Sequence, residues 1–173
     1  MGIFDKIKQV FNKIIERHEI LRTQFIIQND EAVQKVCNNV DFEIPVYYNT
    51  EKEISKIVKN FSKPFKLDDE TLIRAEVHFI DNKSTMLLVD SHHIIMDGMS
   101  LNNLIIEFNR IYNGEGLKRL PIQYRDYSVW ENNYNNSEEI NENEKYWIEK
   151  FKNCEFAQLN LPYDYKISAN RSY

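Results

Sequence analysis

Between Ile73 and Phe79 the hydrophobic pattern has a period of two, and this stretch, with the apolar run that returns from it, constrains the fold more than any other. Ile73, Ala75, Val77 and Phe79 alternate with Arg74, Glu76 and His78. Asp81-Asn82-Lys83-Ser84 supplies turn chemistry, and Thr85 to Asp90 runs back through the apolar Met86-Leu87-Leu88-Val89, so the stretch reads as two strands of a hairpin. His78 falls in the polar register of its strand and is expected at the surface or half-buried. Directly after the second strand comes Ser91-His92-His93-Ile94-Ile95-Met96-Asp97-Gly98. A helix then follows, with Ser100 as candidate N-cap, an apolar stripe of Leu101, Leu104, Ile105, Phe108 and Ile111, and Gly114 as the stop. Gly98 is expected to give the backbone freedom for the turn into that helix. The two histidines therefore lie where a strand gives way to a loop and then to a helix, a place where rigid scaffolds often carry sites.

The rest of the chain supplies further helices and strands. Phe4, Ile7, Phe11, Ile14 and His18 share one face of a helix that begins almost at Met1 and closes between Arg17 and Arg22. Residues 23–28 and 32–36 read as a hairpin around Asn29-Asp30, and residues 42–48 as an extended run whose Pro45 favours an edge. Ile54, Ile57, Val58 and Phe61 mark a short helix with Pro64 beyond its end. Two more helices are expected over residues 124–133 and 138–152, the second with Glu138, Glu139, Glu142 and Glu144 near its N-terminal dipole end. Strands and helices mixed in this way, with hairpins feeding one sheet, argue for an α/β sandwich.

A length of 173 residues with 42% hydrophobic and 13% aromatic residues suits one globular domain with a sizeable core. A formal net charge of -5 gives no electrostatic reason to expect nucleic acid or an anionic membrane as partner. Cys37 and Cys154, far apart and without metal-type spacing, fit free thiols in a reducing, cytoplasmic setting. The sequence shows no signal peptide and no transmembrane run.

Three readings of the paired histidines stay open on spacing alone. Both rings can be structural, or one can act as acid or base near neutral pH. A metal site is the third, although neighbouring side chains on a strand point to opposite faces, and neither an i, i+4 histidine pair nor Cys-rich spacing is present. Ser91 is no serine nucleophile, because the chain has no Gly-x-Ser-x-Gly elbow.

His92-His93-x-x-x-Asp97-Gly98 resembles the HHxxxDG motif of the condensation domains of non-ribosomal peptide synthetases, shared with relatives of chloramphenicol acetyltransferase. Arg17-His18-Glu19-Ile20-Leu21-Arg22-Thr23-Gln24-Phe25 resembles the family's RHExLRTxF, and residues 124–131, YRDYSVWE, resemble its YxDYAxWQ. Weaker echoes at Pro64 to Leu67, Leu72 to Ala75, Tyr146-Trp147 and Leu159 to Pro162 extend the resemblance over essentially the whole chain.

The resemblance implies a chloramphenicol acetyltransferase-like α/β sandwich, one lobe of a two-lobe domain with its active site in a tunnel between the lobes. Residues 1–154 would form most of the N-terminal lobe, lacking its first strand and helix, and residues 155–173 the crossover towards an absent C-terminal lobe. The implied reaction is amide formation: an acyl or peptidyl thioester on one carrier domain is attacked by the amine of an aminoacyl group on another. His93 would be the catalytic histidine, and a backbone N–H near Gly98 would face the oxyanion. His92, Asp97 and Arg22 would be scaffold, with Asp97 and Arg22 joined in a buried pair; Met99 stands where the family usually has tryptophan. His18 is expected to be structural. No cofactor or metal would be bound directly, the substrates arriving on the 4'-phosphopantetheine of donor and acceptor carrier domains. Related possibilities are a coenzyme A-dependent acyltransferase, an epimerisation domain, or a non-catalytic carrier-docking fragment. The fragment alone is expected to be inactive.

Overall fold

The structure is a computed structural model that describes residues 2–155 and Pro162. It divides into two compact units, residues 1–130 and 131–173. The first unit opens with helix α1 (Ile3–Arg17), whose start is fixed by Asp5, its Oδ2 accepting from the Gly2 amide at 3.0 Å. The amphipathic spacing does as the sequence suggests: Ile7, Val10, Phe11, Ile14 and Ile15 are all buried. They share one core with Leu21, Phe42, Ile44, Leu72, Ile73, Ala75, Val77, Ile95, Met96 and Leu104. Phe11 sits at its centre, its ring 5.5 Å from those of both Phe42 and Phe108.

After a 3₁₀ turn over Glu19–Arg22, strands β1 (Thr23–Gln28) and β2 (Glu31–Val36) pair antiparallel around Asn29-Asp30. Both turn residues have positive φ, 51° and 64°, which Asn and Asp tolerate better than other non-glycine residues. β3 (Val46–Asn49) pairs parallel with β4 (Ile73–Ile80), and β4 pairs antiparallel with β5 (Ser84–Ser91). Helix α2 (Ile54–Phe61) lies in the connection from β3 to β4. Pro45 precedes the edge strand β3, and its carbonyl accepts from Val77 N–H at 3.0 Å, a role that needs no donor from proline.

Two expectations need correction here. The hairpins do not feed one sheet: β1-β2 is a separate two-stranded sheet beside the three-stranded β3-β4-β5. His78 is buried, at 3% exposure, because the ring of Tyr47 on β3 stacks on it at 5.0 Å while Asn49 Oδ1 and Glu76 Oε2 meet its two ring nitrogens at 2.8 and 3.1 Å. Alternation placed it correctly on the face opposite Val77; what alternation could not convey is that this face is covered too.

Helix α3 (Gly98–Tyr112) packs against α1, and α4 (Tyr124–Asn135) begins in the first unit. The second unit contains α5 (Glu138–Phe151), capped by Ser137. Residues 156–161 and 163–173, with the echo at Leu159 to Leu161 and most of the expected crossover, lie outside the described residues. No helix among the described residues is long and apolar enough to cross a membrane.

Candidate active site

Hairpin β4-β5 ends in the histidine turn. The His92 N–H donates to Leu72 O at 2.9 Å, so the turn starts from a backbone tie to the residue just before β4. Ile95 and Met96 are buried, at 7% and 8% exposure, and draw the middle of the turn into the core. Ser91 Oγ adds a 3.4 Å contact to Met96 Sδ. With its apolar pair fixed below, the turn presents His93 and Ile94 to solvent.

The two imidazoles have different surroundings. His92 is half-buried, 6.4 Å edge-on to Phe65, and its Nδ1 accepts from Ile94 N–H at 3.0 Å. Phe65 is itself covered by the Arg74 guanidinium at 3.6 Å, and Arg74 reaches Asp90 at 3.4 Å. His92 is thus a tie within the turn. His93 is exposed and lines a cleft of about 350 Å³ with His18, Leu21, Met96, Asn103 and Tyr124. It also borders the opening beside Phe65 and His92.

Asp97, not Ser100, is the N-cap of α3. Its Oδ1 accepts from the Ser100 amide at 2.8 Å and from the Ser100 hydroxyl at 2.6 Å, and these bonds hold its carboxyl below the usual carboxylate range. The expected Arg22–Asp97 pair is not formed. Asp97 is spent on the exposed helix end, whereas the Arg22 guanidinium donates to Cys37 O just past β2 and lies 3.9 Å from Glu19. Gly98 is the first residue of α3 and its φ is not positive, so the turn does not require glycine's freedom. A Cβ there would meet nothing within 4 Å. Gly98 does not line the His93 cleft, and Met99 is 72% exposed.

His18 lines the same cleft. His18, at the junction of α1 and the 3₁₀ turn, has its Nε2 2.6 Å from Glu107 Oε2. Arg17 Nε donates to both oxygens of the same carboxylate at 3.1 Å, and Glu107 is only 15% exposed. Gln123 joins this corner from the loop before α4, its Oε1 accepting from Glu19 N–H at 3.1 Å and its Nε2 donating to Arg17 O at 3.0 Å. Arg125 Nε stands 3.1 Å from Glu19 Oε2. The resembling stretches at residues 17–25 and 124–131 therefore meet around Glu19. A signal for Glu107 was present: with Leu104, Phe108 and Ile111 it falls on the core stripe of α3, where a carboxylate needs a partner. Among the described residues no cluster of three or more His, Cys, Asp or Glu side chains is placed to hold a metal ion.

The family model for the condensation domain matches residues 4–173. The chain belongs to the condensation domain family. This condensation domain sequence is 39% identical over 166 residues to bacitracin synthase 3 of Bacillus licheniformis, covering 95% of the chain and 3% of that protein. It is 36% identical over 168 residues to gramicidin S synthase 2 of Aneurinibacillus migulanus, covering 97% of the chain and 4% of the relative. The chain thus spans a small fraction of the curated relatives it matches. Among solved structures, the starter condensation domain of rhizomide synthetase aligns over 88% of the chain and 40% of its own, with a TM-score of 0.75 at 18% identity. The epimerization domain from the third module of tyrocidine synthetase B aligns over 97% and 40%, with a TM-score of 0.78 at 20% identity. At such identities the likeness speaks for the fold, a chloramphenicol acetyltransferase-like α/β architecture of which this condensation domain sequence covers one lobe.

Proposed function

We propose that the chain is the part of a non-ribosomal peptide synthetase condensation domain that carries its proton-handling histidine, His93. It would act in the cytoplasm on a carrier-bound acyl or peptidyl thioester and a carrier-bound aminoacyl amine. The pantetheine arms belong to the partner carrier domains and enter as parts of the substrates. In the step, the amine nitrogen bonds to the thioester carbon and the carbon–sulfur bond breaks. The proton leaving nitrogen passes through the His93 imidazole to the departing sulfur. A thioester is already activated, so alignment of the arms and this proton are the main tasks.

The observation that carries the reading is the exposure of His93 on a turn anchored by buried Ile95 and Met96, where it lines a cleft, while His92 is committed to the turn itself. Family membership supplies the reaction class. Asp97 then acts by capping α3 at the end of the turn, and Arg22 by fastening the 3₁₀ turn to the end of β2. An N–H at the Gly98 end of α3, whose flanking Asp97 and Ser100 line the His93 cleft, remains our candidate for meeting the oxyanion. We assign residues 1–154 to most of the N-terminal lobe and 155–173 to the crossover, and infer that this part alone is inactive, because effective molarities of about 10⁵ M or more need a closed, pre-organised site.

The test is single-turnover amide formation between preloaded carriers, followed by intact-protein mass spectrometry in the synthetase that carries this chain. His93→Ala is expected to lose roughly 100- to 10,000-fold, and His92→Ala far less. Equal, small losses would refute the role of His93. Turnover by the 173-residue chain alone, at the rate of a two-lobe domain, would refute its assignment as an incomplete catalytic unit.

A further inference from the structure

The cleft that takes up His93 contains a second imidazole whose orientation is fixed by a carboxylate. His18 Nε2 is engaged by Glu107 at 2.6 Å, and Glu107 is braced by Arg17. The carboxylate on Nε2 calls for an N–H there, so when the ring carries a single N–H its Nδ1 is the nitrogen free to accept. The His18 side chain keeps 26% of its surface open. Arg17 is held from the other side by the Lys118 carbonyl, and the Arg17 carbonyl by Gln123, so the base of the arrangement is tied to three separate segments. Arg17 already links α1 to α3 through Glu107, and His18 lines the same cleft as His93.

We propose that His18 is a second substrate-contacting residue, its Nδ1 accepting a hydrogen bond from the amine that attacks the thioester. This rests on the amide-forming reading above. A primary amine has two N–H bonds and one lone pair. Attack requires the lone pair to point at the thioester carbon, so an N–H to His93 and the other to His18 would hold the nitrogen by both hydrogens and leave the pair free to react. The inference specifies the substrate class: an acceptor with a primary amine uses both rings, whereas an N-alkylated acceptor has one N–H and uses one.

The experiment compares an alanyl and an N-methylalanyl group loaded on the acceptor carrier, with one donor, in the synthetase carrying this chain. Because both acceptors are run on the same preparation, any loss of folded protein cancels in their ratio. His18→Gln, whose amide reaches the Nε2 position and keeps a partner for Glu107, is expected to lose roughly tenfold in kcat/KM with the primary amine, the value of one hydrogen bond of ordinary strength. With the N-methyl amine the loss is expected to stay within about twofold, consistent with no bond being removed. His18→Asn, whose amide occupies the Nδ1 position, should recover most of the activity with the primary amine. Equal losses on both acceptors, or recovery by Gln instead of Asn, would overturn the proposal and leave His18 as a structural link. His93→Ala serves as the separate control. If it leaves both acceptors untouched, the amide-forming reading itself fails; if it impairs both while His18 shows no selectivity, only the present inference fails.

Discussion

Two neighbouring residues of the histidine turn, Ile94 and Ile95, are chemically identical and differ in exposure, 41% against 7%. Ile95→Ala removes three carbons from a site among the core residues around Met96 and Leu104. Transfer of a buried isoleucine contributes about 1.5–3 kcal/mol and an unfilled cavity adds to its loss, so truncation should cost about 2–5 kcal/mol. The residual 7% exposure argues for the lower half of that range. At roughly 2–4 °C per kcal/mol for a chain of this size, the melting temperature should fall by about 5–10 °C. Ile94→Ala should change stability by no more than about 0.5 kcal/mol. Urea unfolding of the two variants measures the contrast, and the amide-forming assay at a temperature where both remain folded measures the second effect. There Ile95→Ala should also slow turnover, since His93 would sit on a turn without its anchor, while Ile94→Ala should not. Equal stability of the two variants would refute the account of how the turn is held.

The Asp97 cap is acid-sensitive. Its folded pKa lies below the unfolded one because of the Ser100 hydroxyl and amide, so its stabilisation is fully present above the unfolded value and is lost as pH falls through the folded value. Protection of the amides at the start of α3, measured against their intrinsic exchange rates, should therefore fall in acid, below about pH 4, and Asp97→Asn should flatten that response. The absence of an Arg22–Asp97 contact has its own consequence: in a double-mutant cycle, Asp97→Ala and Arg22→Ala should be additive within about 0.5 kcal/mol, whereas a coupling above about 1 kcal/mol would restore the pair.

Much of this fold is written in local pattern. The α1 stripe, both hairpins with their Asn/Asp turns, α2, and the switch from β5 to α3 all follow from periodicity and turn chemistry, and the structure places them within a few residues of expectation. What sequence could not convey was covering and partnership. That Tyr47 lies over His78 depends on a parallel pairing between distant segments. That Asp97 caps a helix instead of meeting Arg22 depends on where the guanidinium points, and motif correspondence carries no such direction. The same limit hid the Glu107 contact with His18, although a carboxylate in an apolar stripe was there to be noticed. The place of the turn that carries His93, between β5 and α3, was legible from the apolar run before it and the helical stripe after it.

The two kinds of pairing in the sheet also imply an order of assembly. β4 and β5 are joined by a short turn and can zip together on the microsecond scale of hairpins, whereas β3 must wait for closure of the segment containing α2 before it can add in parallel. The histidine turn hangs from the fast partner: its first amide is tied to Leu72, at the mouth of the β4-β5 hairpin, and none of its backbone bonds runs to β3. As the chain folds, the geometry around His93 is expected to take shape from short-range closures, ahead of the addition of β3 at the sheet edge.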